Sequence, residues 1–161
     1  MIQEIQRMFI AQRDLLSGVR NTAFEVRDII ETISLSIEPL TAVVCPDCIS
    51  VCCINRHSRY DWSDLIFMTA LGNDIPEDNT GIEDSAPCRF LGRNGCTLER
   101  STRPYRCTWF FCTPLLDYAI EMSGPSGYRK FMEKLQLITE KRSSMIHDFE
   151  TILRNPPSLR I

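Results

Sequence analysis

The chain has 161 residues, a formal net charge of −3, and 43% hydrophobic and 24% charged residues. That is the size of one ordinary domain with enough apolar material for a core, which excludes wholesale disorder. The negative balance argues against a general nucleic-acid or anionic-membrane binder, and no run of eighteen apolar residues is present to span a bilayer.

Residues 1–40 read as an N-terminal helix. Ile2, Ile5, Phe9, Gln12, Leu16, Val19, Ala23, Val26, Ile30, Ile33, Ile37 and Leu40 recur every third or fourth position, and all but Gln12 are apolar. Such spacing is the seam of a helix packing along another helix. Ser17-Gly18 is the expected bend and Pro39 the expected stop. The opening stretch, MIQEIQRMFIAQRDLL, carries charge every few residues and lacks the apolar stretch of an export signal, so a cytoplasmic location is expected.

Residues 41–122 form a cysteine-rich region that holds all eight cysteines of the chain. Within it, Asp61 or Ser63 caps a helix over Asp64–Leu71 that stops at Gly72. Asn73–Asp84 follows as a solvated acidic loop. Residues 123–161 form a C-terminal helix and tail: Ser123–Gly127 breaks the chain, and Ser126 caps a helix from about Tyr128 to Leu153, ended by Asn155-Pro156-Pro157. Its seam is Phe131, Leu135, Ile138, Arg142, Met145, Phe149 and Ile152. The two seams pair antiparallel within one compact domain or form a homodimer bundle. Either way the role is packing or a protein-partner surface, with no membrane and no nucleic acid.

Where the cysteines sit limits what they are. A disulfide scaffold suits small secreted domains, not a chain without an export signal. Inert packing explains one or two thiols, but not two clusters framed by Gly, Pro and Arg. A metal or metal-cluster site explains both. In Cys45-Pro-Asp-Cys48-Ile-Ser-Val-Cys52-Cys53, proline after Cys45 suits a helix start with Cys45 as its cap. A helix running on through Ile54 sets Cys48 and Cys52 on one face below Cys45, where free N–H groups favour thiolates. Cys53 points elsewhere, so the vicinal pair suits two ions or a polynuclear cluster better than one tetrahedral ion. His57, four residues on, is a candidate extra ligand.

In the second cluster, Asn94-Gly95 signals a short β-hairpin that pairs Arg93 with Cys96. Cys88 then lies roughly 16 Å from the turn along the strand unless it curls back. Arg89, Arg93, Arg100, Arg103 and Arg106 accompany these cysteines against a single acid, Glu99. Guanidinium groups offset the charge of a thiolate-ligated centre, and Arg103 and Arg106, just ahead of Cys107, are the candidate supporting cations.

The vicinal pair after two spaced cysteines, then Cys88-x-Phe-Leu-x4-Gly-Cys96-x-Leu, Arg103-Pro-x2-Cys107 and an aromatic-flanked Cys112, resembles the YkgJ-type cysteine-cluster family over residues 45–112. Its members are described as zinc- or iron-chelating domains with eight characteristic cysteines. The resemblance implies Cys45, Cys48, Cys52, Cys53, Cys88, Cys96, Cys107 and Cys112 as metal ligands. Two positions depart from the family pattern: three residues, not two, separate Cys48 from Cys52, and Thr108 stands where Arg is usual after Cys107.

The short spacings Cys45-x2-Cys48, Cys48-x3-Cys52 and Cys107-x4-Cys112 suit zinc, whereas the spread of Cys88 and Cys96 and the vicinal pair suit a polynuclear centre. The fold expected is mainly α, with long N- and C-terminal helices flanking a small irregular metal-binding core. The function expected is metal binding through an iron–sulfur cluster of the four-iron type, or zinc, in electron transfer or in redox or metal sensing. The alternative is a zinc-stapled interaction module with no redox chemistry. No His–acid–nucleophile set or phosphate loop marks a catalytic site, so the reading is not that of an enzyme.

Overall fold

The computed structural model describes residues 1–49, 51–76 and 81–155. It is mainly α, with five helices and one two-stranded antiparallel hairpin: α1 (Ile2–Ala11), α2 (Ser17–Val44), α3 (Trp62–Leu71), β1 (Leu91–Gly92), β2 (Gly95–Cys96), α4 (Tyr105–Trp109) and α5 (Thr113–Arg154). Short 3-10 turns cover Asn55–Ser58 and Arg100–Thr102.

The N-terminal seam holds through both α1 and α2. Nine of its twelve positions are buried, and Ile2, Gln12 and Leu40 are half-buried. The break falls at residues 12–16, one turn before Ser17-Gly18, and α2 starts at Ser17. Pro39 does not stop the helix: α2 runs five residues past it, to Val44. The ring removes one N–H on the exposed side of the helix, where the carbonyl left over is open to solvation. Buried Ile37 and half-buried Leu40 hold the backbone on either side.

α5 begins earlier than the sequence suggests. It starts at Thr113, so the expected boundary at residue 123 falls inside it as a kink at Gly124 (φ 65°, ψ 173°). The cause is local. A residue before proline avoids the α region, and glycine alone takes this positive φ without Cβ strain. Pro125 then restarts the helix, so Ser126 lies inside it and caps nothing. Ser123 Oγ instead donates to Ala119 O at 2.6 Å.

The second limb of α5 runs antiparallel to α2 within the same chain. Phe9 stacks on Phe149 (5.5 Å between centroids), Lys141 pairs with Glu25 (2.6 Å), and Ile33 and Ile37 share a groove with Phe131. The two seams therefore face each other and are consumed in intrachain packing.

α3 closes the core from a third side. Asp61 is its cap, with Asp64 completing a reciprocal capping box, and Gly72 ends it with φ 75°. Leu65, Ile66, Phe67, Met68 and Ala70 are all buried. The polar interruption in the C-terminal seam, Arg142, is buried too and pairs with Asp64 at 2.5 Å. Asp64 Oδ1 also accepts from Tyr105 N (2.9 Å), and the Arg142 guanidinium lies over Tyr105 and Phe67 (4.6 and 5.0 Å). Burial pushes the Asp64 carboxyl up and the Arg142 guanidinium down from their ordinary values, each opposed by the partner's charge. This knot joins α3, α4 and α5.

Candidate metal centre

The cysteines are presented from the ends of helices and the turns between them. Cys45 sits at the C-terminal end of α2, with its N–H on Thr41 O (2.9 Å). Among the described residues the helix expected over 46–54 is absent: the chain turns through residues 46 and 47 (Cys48 N to Cys45 O, 3.2 Å), and Cys48, Ile49 and residues 51–53 are irregular. The Cys-Pro pair resembles a helix start, but the apolar stripe of α2 carries that helix as far as Val44. Cys45 therefore sits at a carbonyl end and gains no N–H support. A helix start does occur at the site, but at Cys112, the N-cap residue of α5, which makes no side-chain cap hydrogen bond.

A backbone clasp joins the two clusters. Ile54 bridges Pro87, Cys88 N donates to Cys53 O (2.9 Å) and Asn55 N to Ala86 O (2.8 Å). Buried Asn55 adds Nδ2 to Ile82 O (3.1 Å). The hairpin is present, but its register differs from the expected one: Leu91 pairs with Cys96 and Gly92 with Gly95, so Arg93-Asn94 forms the loop. Among the described residues no non-glycine has a positive φ, which a turn centred on Asn94-Gly95 requires at Asn94. Within the hairpin, Gly95 takes one (112°). Cys88 curls back, its sulfur accepting from Phe90 N at 3.4 Å.

The result is a cavity of about 110 Å³ with Cys45, Cys52, Cys53, Cys88, Cys96, Cys107 and Cys112 in its lining. Cys48 lines an adjoining cavity of about 170 Å³. All eight cysteines are half-buried. Among the described residues, no three His, Cys, Asp or Glu side chains form a group that could hold a metal ion as they stand. The donor chemistry suits thiophilic metals. About 10–15 Å³ admits one water-sized sphere, so the larger figure fits a group of several atoms better than one ion drawn in to about 2.3 Å by each sulfur.

Crowding shapes the thiols. Burial first, then Cys96 and Cys88, push Cys107 up to about 11. Burial likewise raises Cys45, Cys88 and Cys112. The interaction between the two neighbouring thiols is the largest influence on both, raising Cys52 and lowering Cys53.

The cationic wall is Arg100, Arg103 and Arg106. Arg103 donates to Leu98 O (2.9 Å) and pairs with Glu38 (3.1 Å), while Arg106 lies over Phe110 at 5.8 Å. Buried Arg100 binds Glu38 (2.8 Å) and Cys107 O (3.2 Å). Glu38 of α2 is the residue that reading the cysteine clusters misses. Burial alone would raise its carboxyl, but Arg100 and Arg103 outweigh that and hold it below its ordinary value. His57 lines the cavity with its ring nitrogens engaged elsewhere: Nδ1 lies 3.3 Å from Cys52 O, and Arg56 Nε donates to Nε2 at 3.2 Å.

Among the described residues, no helix is long and apolar enough to cross a membrane. Comparison with protein-family models, with curated proteins and with solved structures finds no match to this chain.

Proposed function

We propose that the chain is a metal-binding protein of the YkgJ-type cysteine-cluster kind, whose cysteines hold an iron–sulfur cluster in electron transfer or in redox or metal sensing. The observation that carries the reading is the lining of seven cysteines around one cavity of about 110 Å³ with three arginines in its wall. Thiols crowded at low dielectric resist ionising together, and a bound cation removes that penalty. The arginines would offset the remaining negative charge of a four-thiolate centre, and in such centres neighbouring charge sets the potential.

A zinc-stapled module is the second reading. The tight Cys45–Cys48 turn favours it, because a short two-cysteine knuckle is the usual structural zinc element. Anaerobic purification followed by iron, zinc and acid-labile sulfide analysis separates the two. A brown protein with iron, sulfide and a visible band bleached by dithionite is expected. A colourless protein with stoichiometric zinc selects the second reading, and a metal-free one overturns both.

A further inference from the structure

The seams of α2 and α5 do not close along their whole length. At the elbow of α5 they leave a cleft of about 320 Å³ between its two limbs and α2. Two glycines shape it. Gly124 turns the chain with φ 65°, and a Cβ at Gly127 would lie 2.8 Å from Ser123 Cβ, so the limbs approach as only glycine permits. Buried Ile37 and Ala119 form the floor, and half-buried Leu40 and Phe131 the walls. Exposed Lys130 and Lys134 stand at the rim with half-buried Tyr128. The charge there has one sign, for among the described residues the lining contains no acid. Of the three lysines in the chain, Lys141 pairs with Glu25, whereas Lys130 and Lys134 form no ion pair among the described residues. Set four apart on one helix face, two like charges repel and destabilise the helix. The open clefts beside α4 carry both signs instead: Glu133 accompanies Arg129 in one, and Asp61 and Asp64 accompany Arg56 and Arg59 in the other.

We infer that this elbow cleft binds a free single-chain amphiphile with a carboxylate head, a fatty acid of medium chain length, its tail over Ile37 and Phe131 and its head between Lys130 and Lys134. The site is separate from the cysteine cavity and does not depend on the metal-binding reading. An apolar floor and walls take up a hydrocarbon chain by removing its surface from water. The lysine stems extend those walls while their ammonium groups stay solvated. A carboxylate at the rim keeps part of its hydration and relieves the lysine repulsion, and Tyr128 adds a hydroxyl donor to the same rim. The volume lies at the small end of ligand clefts, roughly 300–1,000 Å³. That suits one short chain and excludes a partner's helix, which is about 10 Å across with its side chains. Because such a ligand touches α2 and both limbs of α5, its binding would also fix the angle at Gly124.

The probe is decanoate, titrated below its micelle concentration into the full-length protein as purified, with decanol and acetate as comparators. Calorimetry should show one saturable site for decanoate, with decanol and acetate each weaker by about tenfold or more. Hydrogen exchange should slow at residues 119–134. Lys130→Gln/Lys134→Gln changes two exposed side chains without ion pairs, so helical circular dichroism should be kept while decanoate binds about tenfold more weakly. Absence of saturable binding overturns the proposal, as does decanol binding as tightly as decanoate or undiminished binding to the double variant. Protection confined to the cysteine region overturns it too. Binding to anionic vesicles without binding of free decanoate would make the lysines a membrane contact, and a dimer that excludes decanoate would make the cleft an interface between copies; either overturns it. None of these results turns on metal content, so this proposal and the metal-binding reading stand or fall separately.

Discussion

The helical bundle and the cysteine region are held together in different ways. In the bundle, Ile5, Leu16, Ala23, Val26, Ile138, Met145 and Phe149 have no exposed surface, and long helices satisfy their own backbone. In the cysteine region the strands are two residues each, α4 has five, and every cysteine is half-buried. Apolar burial accounts for the first region at roughly 25 cal/mol per Å². Outside α3, whose apolar residues belong to the bundle's core, the second offers little of it, and what its residues share instead is sulfur. A fold can thus carry one part stabilised by the solvent and another that relies on a ligand.

The sharpest way to break the comparison is to remove the metal. Structural metal sites contribute on the order of 10 kcal/mol of apparent folding energy. Chelation, or Cys107→Ser, is therefore expected to abolish amide protection over residues 84–112 while α2 and α5 stay protected; uniform loss across both regions in hydrogen exchange would merge them into one unit. The converse is Phe149→Ala, which deletes the ring that stacks on Phe9 and meets Trp62 edge-on. It should cost about 3–5 kcal/mol, read as a lower denaturation midpoint with metal content unchanged.

Glu38→Gln tests the contact between the regions, because Glu38 lies on α2 and its partners Arg100 and Arg103 lie beside the cysteines. With the carboxylate half-exposed, about 1–3 kcal/mol is expected. Its folded-state carboxyl is held below the ordinary 4.5, so its contribution is present above that pH and disappears as pH falls through the depressed value. Melting curves of wild type and Glu38→Gln should converge on acidification, and a constant gap down to pH 3 would assign the effect elsewhere. The smallest effect belongs to Gly124→Ala. A Cβ at φ 65° costs about 1–2 kcal/mol, and the thermal midpoint should fall by a few degrees with metal content unaffected.

What could be read from the sequence follows from the range of each interaction. The seams, the Asp61 cap and the Gly72 stop depend on residues at most four apart, and their signals survive intact. Pro39 misleads because a local helix breaker is outweighed by packing on both sides of it. Cys45-Pro46 misleads in the same way, being a helix-start signal overrun by the helix before it. The hairpin is legible, but its register shifts because Asn94 avoids the positive φ that the tighter turn demands. The Glu38–Arg100 pair, 62 residues apart, leaves no local trace. Nor does the clasp that lays Cys53 beside Cys88, since it is made of backbone groups every sequence has.

The kink at Gly124 gives the two long helices different mechanical roles. Cys45 ends a rod of 28 residues, about 42 Å of helix, so its position is fixed by everything packed along that rod. Cys112 heads a short arm joined to its own rod through a single glycine pivot. Adjustment of the sulfur geometry is therefore cheapest on the Cys112 side, like the moving jaw of a vice set against a fixed anvil.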